Sequence, residues 1–167
     1  MPTNCPAIVI TQHIPPVFST SFAQRMDRTC AINVKEAQHG DKLTAGWAYI
    51  APGGLHLSIK KRGASLYCEL DDSEPVNRHK PAVDVLFNSL LECGAKNIVA
   101  ALLTGMGSDG AKGLLSIKQA GGYTIAQDEF SSVVWGMPKA AVDLGAAHEI
   151  VALDKVTQRL LHQAIKV

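Results

Sequence analysis

With 167 residues, 47% of them hydrophobic, 19% charged and a net charge of +1, the chain carries enough apolar material for a core without disulfides or a structural metal. That balance excludes a disordered chain and a membrane-inserted one, and the lack of a basic excess excludes strong electrostatic binding to nucleic acid. Cys5, Cys30, Cys68 and Cys93 are far apart and form no C-x-x-C pair, and no basic stretch precedes the first apolar run; they are expected to be reduced, buried thiols of a cytoplasmic protein.

The first apolar run, AIVIT (7–11), predicts a strand that ends just ahead of His13, with Pro15 and Pro16 closing its exit. A helical pattern over 17–28 follows, then β-rich runs at 31–34 and 47–51. The stretch 47–70 breaks the βαβ rhythm. Alternation in LHLSI (55–59), with a second run SLYCEL (65–70) beyond KKRGA (60–64), predicts an inserted antiparallel hairpin, and DDSEP (71–75) a polar turn. Arg78, His79 and Lys80 make a compact basic loop suited to an acidic substrate. Pro81 opens a helix over 82–93, where Asp84 in the first turn reads as a match to the helix dipole rather than as a catalyst.

NIVAALLT (97–104) is apolar on both faces, as a central parallel strand is. Helices are predicted at 110–120, 138–144 and 154–165, alternating with strands at 123–126 and 149–153. The series predicts one α/β domain over 1–167: a doubly wound, mostly parallel sheet flanked by helices, with the hairpin inserted.

Between the strand ending at Thr104 and the following helix lies GMGSDG, with Asp109 among Gly105, Gly107 and Gly110. Such a loop sits at the carboxyl edge of a parallel strand, where open α/β sheets place their ligands. Three readings compete. Asp109 caps the helix and the glycines form a tight turn. Alternatively G-x-G-x-x-G cradles a dinucleotide, with Asp128 or Glu129 as the ribose acid, although Asp109 would then repel the pyrophosphate. In the third, Asp109 orients His13, which leaves the same kind of strand end, as in the acid–base half of a hydrolase triad. His39, His56, His148 and His162 form no metal-ligand spacing, and neither metal nor cofactor is expected.

ITQHIPP (10–16), APGGLH (51–56), PVNRHKPAVDVLF (75–87), LTGMGSDGAKGL (103–114) and GGYTIAQDEFSSVVWGMPKAAVDLG (121–145) closely resemble the chemotaxis protein-glutamate methylesterases, in the same order over nearly the whole chain. The resemblance implies hydrolysis of glutamyl methyl esters, and deamidation of glutamines, on the cytoplasmic helical region of chemotaxis receptors. It implies a Ser-His-Asp triad with His13 as general base and Asp109 as its orienting acid. It also implies oxyanion donors in the backbone of Met106 and Gly107, while Arg78 and His79 are expected near the substrate from their basic loop.

The family's nucleophilic serine lies in a G-x-S-T-G-G turn, and no such turn occurs in these residues. Cys5, Ser108, Ser131 and Ser132 do not suit its role. The expectation is therefore a catalytic domain lacking its first strand and nucleophile turn, inactive as it stands, whose vacant strand position is closed by altered pairing, a partner chain or a second copy. A non-catalytic receptor-binding remnant is the further alternative.

Overall fold

A computed structural model of the chain, which describes residues 1–165, is an α/β structure of parallel sheets flanked by helices. By its contacts it divides into two compact units, Met1–Cys93 and Gly94–Val167.

The first unit holds β1 (Ile8–Ile10), α1 (Pro16–Thr29), β2 (Asn33–Glu36), β3 (Trp47–Ile50), β4 (His56–Arg62), β5 (Ser65–Asp71) and α2 (Val83–Glu92). Its parallel sheet runs β1-β3-β2, so β3 is central and is paired on both sides. The antiparallel insertion is thus narrower than the run 47–70: only β4 and β5 form it, from His56↔Asp71 to Arg62↔Ser65, and Lys60–Arg62 belong to the strand rather than to the turn. Trp47–Ile50 has the burial of a covered central strand, with Ala48, Tyr49 and Ile50 all buried. Leu57, Ile59, Cys68 and Leu86 join Tyr49 and Ala51 in the core, so the hairpin covers the unit through its inward-facing alternate residues.

Burial pushes the Cys68 thiol up to about 12. Cys5 is also buried and Cys93 half-buried, whereas Cys30 is exposed. The expectation of four buried thiols fails at Cys30 because it is the C-cap of α1, where the chain turns out of the helix at the surface.

The second unit holds β6 (Val99–Leu102), α3 (Ala111–Gln119), β7 (Tyr123–Gln127), α4 (Met137–Asp143), β8 (Glu149–Val151) and α5 (Leu153–Ile165). Its sheet is parallel in the order β6-β7-β8. Here β7, not β6, is central, with four of its five residues buried. The two-faced apolarity of β6 reflects helices packed against it, α3 and α5 among them, and says nothing about which of its edges are paired.

Candidate active site

His13 follows β1 by three residues. The strand's last residues are fixed in parallel register, Ile10 opposite Ile50, and Ala51 N–H continues the ladder to Ile10 C=O at 2.8 Å. The segment after β3 then packs directly on the proline exit. A Cβ at Gly53 would lie 2.4 Å from Pro16 N and 2.6 Å from Ile14 O, so only glycine fits. Gly53 N–H donates to Ser19 Oγ at 3.0 Å, tying the same segment to the first turn of α1. The chain leaving β1 is held by prolines in front and backbone behind.

The imidazole of His13 lies flat on that of His79, with ring centroids 3.7 Å apart and 5° between planes. His79 comes from the loop between β5 and α2. There Val76 and His79 exchange backbone hydrogen bonds of 3.1 and 2.9 Å around Asn77 and Arg78. Asn77 and Arg78 both take left-handed backbone, φ 52° and 68°, a region in which Asn is enriched among non-glycine residues and Arg is uncommon. Asn77 Nδ2 donates to Asp84 Oδ2 at 2.8 Å, and Asp84 is buried in the first turn of α2. Asp84 thus anchors the turn through Asn77. Arg78 is exposed at the tip of the turn.

In the second unit the glycine loop leaves β6. Asp109 is 1% exposed, while Met106, three residues earlier, is 78% exposed. The N-cap of α3 is Gly110, at φ 85°, so Asp109 lies one residue ahead of the cap. Gly107, at φ 90°, lets the chain reverse between the exposed methionine and the sunken aspartate. Among the described residues, the backbone N–H groups of Met106 and Gly107 donate no hydrogen bond.

The loop is braced by the segment after β7. Gly105 N–H donates to Val134 C=O at 3.0 Å, and Gly105 C=O accepts from Met137 N–H at 2.8 Å. Thr104 Oγ1 donates to Val134 C=O and accepts from its N–H, at 3.0 and 2.9 Å. Gln127, wholly buried at the end of β7, accepts from Thr104 N–H through Oε1 at 2.8 Å and donates through Nε2 to Ser131 C=O at 2.8 Å. Gly136 completes the brace: a Cβ there would sit 2.7 Å from Gly105 O and 3.0 Å from Gly107 N. Sequence reasoning missed Gln127 and Gly136. The signal for each was present as an amide closing an otherwise apolar strand and a glycine ahead of a Met-Pro helix start.

Of the two acids the dinucleotide reading offers, Asp128 is engaged: its Oδ1 accepts from Ser131 N–H at 3.0 Å and from Ser131 Oγ. Ser131 is itself consumed in this turn, since its hydroxyl also accepts from Leu153 N–H at 2.9 Å. Of the residues singled out from sequence, the structure joins His13 with His79 in the first unit and Asp109 with Met106 and Gly107 in the second. Among the described residues no cluster of three or more His, Cys, Asp or Glu side chains could hold a metal ion.

The family model described as CheB methylesterase matches residues 1–160. A protein-glutamate methylesterase/protein-glutamine glutaminase of Xanthomonas oryzae pv. oryzae is 57% identical over 161 residues, covering 96% of this chain and 45% of that protein. The enzyme of the same name from Nitrosomonas europaea is 53% identical over 165 residues, covering 99% of this chain and 46% of that protein. The chain thus spans about half the length of these curated relatives. The crystal structure of the Thermotoga maritima CheB methylesterase catalytic domain superposes with a TM-score of 0.93 at 39% identity, over 97% of this chain and 86% of that one.

Proposed function

The chain belongs to the CheB methylesterase family, and on that premise we propose that it supplies the acid–base and oxyanion parts of a protein-glutamate methylesterase that also deamidates glutamine. The whole chain serves as one catalytic domain in this reading. His13 takes the proton of the attacking group and returns it to the leaving methanol or ammonia. Asp109 holds one imidazole nitrogen and stabilises the imidazolium. The amides of Met106 and Gly107 receive the negative oxygen of the tetrahedral intermediate, each donor being worth about 3 kcal/mol in such sites. Arg78 and His79 contact the substrate around the scissile side chain. The substrates in this reading are chemotaxis receptors, met in the cytoplasm along their helical methylated region.

The observation that carries the proposal is the shape of one loop. Asp109 is sunk to 1% exposure while Met106 stands 78% exposed beside it, with amides that donate to nothing among the described residues. A loop built only to turn has no need to separate an acid and unengaged donors in this way.

The family's serine turn is not among these residues, so the nucleophile must be contributed by residues outside them. Two features support an additional strand. Among the described residues, within their own sheets, β1 pairs with β3 alone and β6 with β7 alone. Thr11 Oγ1, one residue beyond β1, is buried and has no hydrogen-bond partner among the described residues, which costs about 1–3 kcal/mol if nothing else approaches it. A strand from elsewhere in a longer chain, from a partner or from a second copy would answer both.

Methanol release from a methylated receptor fragment tests the reading. These 167 residues alone should give near-background turnover. Joined to a strand bearing the serine turn, they should hydrolyse the ester, and Asp109→Asn should then lower kcat by about 10⁴-fold. Brisk turnover by the chain alone, lost on mutating one of its own serines or cysteines, would refute the assignment of roles.

A further inference from the structure

His56 carries no role in the reading above, yet it is 0% exposed at the first position of β4. A buried imidazole requires partners for both nitrogens. Ala82 N–H points at Nδ1 at 3.2 Å, and Glu74 C=O lies 3.1 Å from Nε2. A backbone N–H can only donate and a carbonyl can only accept, so the ring is the Nε2–H tautomer with Nδ1 as acceptor. The two partners stand at opposite ends of the loop between β5 and α2. One ring therefore ties the mouth of that loop shut.

A second side-chain tether lies further along the loop, where Asn77 Nδ2 donates to Asp84 Oδ2 at 2.8 Å. Residues 71–78 are all exposed, so apolar burial cannot fix them. The Lys80–Asp72 ion pair, 2.8 Å long, involves an aspartate that is itself 80% exposed, and such pairs contribute little. Gly54 N–H to Lys80 C=O is long at 3.2 Å. Inside the closed mouth, the Val76–His79 turn delivers the His79 ring to the face of His13.

We propose that His56 is a positioning residue: by bridging Glu74 and Ala82 it sets the loop so that His79 lies flat on His13 and fixes the plane of that ring. The bridge stands on the geometry of the first unit alone. Its catalytic meaning rests on His13 being the base.

The test compares His56→Gln, which keeps one acceptor and one donor, with His56→Phe, which keeps the ring's bulk and loses both. In the native chain the stacked rings of His13 and His79 should shift each other's ring-proton resonances upfield and show cross-relaxation. The Gln variant should retain these signatures. The Phe variant should lose them, and its Val76 and His79 amides should exchange about tenfold faster while amides of β7 keep their protection. Retention of the stack in the Phe variant, or its loss in both variants, overturns the proposal. Should the Phe variant fail to fold, the native ring decides by nitrogen-15 spectroscopy: His56 as the Nε2–H tautomer supports the bridge, and as the Nδ1–H tautomer overturns it. In the serine-completed enzyme, full turnover after His13→Ala would remove the catalytic reading while the spectra of the chain that keeps His13 still decide the bridge, so the two failures are distinguishable.

Discussion

Two loops end the strands that matter here, and they are built on opposite principles. The loop after β5 uses ordinary residues in left-handed backbone, Asn77 and Arg78, and relies on side chains to hold it: His56 across its mouth and Asn77 on Asp84. The loop after β6 uses glycines for its reversals and is braced by backbone bonds to the segment 134–137, together with Thr104 Oγ1 and the Gln127 amide. A tethered loop is vulnerable to atoms removed. A glycine loop is vulnerable to atoms added.

That contrast fixes a ranking. The largest effect is expected for Gly136→Ala, because its φ of −96° suits any residue and the damage comes from collision with backbone at 2.7 and 3.0 Å. A loss of about 3 kcal/mol in urea unfolding is expected, since neither partner atom is the end of a flexible side chain. A loss under about 1 kcal/mol would mean that the loop yields, and the contrast would fail. Asn77→Ala comes next. It removes a 2.8 Å bond to a buried carboxylate, and hydrogen bonds to charged groups are worth about 1.5–3 kcal/mol. Amide exchange at Val76 and His79 should accelerate with the fall in thermal midpoint.

Gly107→Ala isolates the other cost of the glycine loop. No atom lies within 4 Å of its added Cβ, so only the φ of 90° resists, at about 1–2 kcal/mol. Calorimetry that ranked Gly107→Ala above Gly136→Ala would invert the account of that loop. The smallest effect belongs to a control outside both loops. Arg159 donates Nε–H to Glu149 at 2.6 Å and Nη2–H to its other oxygen, and Tyr123 also bonds the carboxylate. Together these contacts, the Arg159 hydrogen bond foremost, hold the Glu149 carboxyl down at about 2. A depressed carboxyl contributes stability above its unfolded value of 4.5 and loses it as pH falls towards about 2. Arg159→Met should therefore lower the thermal midpoint slightly at neutral pH and flatten its decline between those limits, with no change at the two loops.

The chain's local code was plain. Every predicted strand and helix has a counterpart within a few residues, because periodicity and the Gly-Pro punctuation act over one element at a time. Lateral neighbours were harder. Trp47–Ile50 reads as part of an insertion but is the middle of a parallel sheet, and β6 reads as central but lies at the end of its own. Strand order is decided by pairings between distant segments, which no window of sequence contains. His13 and Asp109 were legible as polar groups at strand exits, and the glycines as a loop. His56 and Gln127 were not, since each acts on backbone atoms, and backbone atoms carry no letter.

The four thiols supply a chemical clock for half of the molecule. All of them belong to Met1–Cys93, and their access descends from Cys30 through Cys93 to Cys5 and Cys68. An alkylating reagent should label Cys30 at once, whereas Cys68, walled in by Ile59 and Leu86 and disinclined to ionise, waits for that core to open. Labelling kinetics at Cys68 would thus time the breathing of one unit while remaining blind to the other.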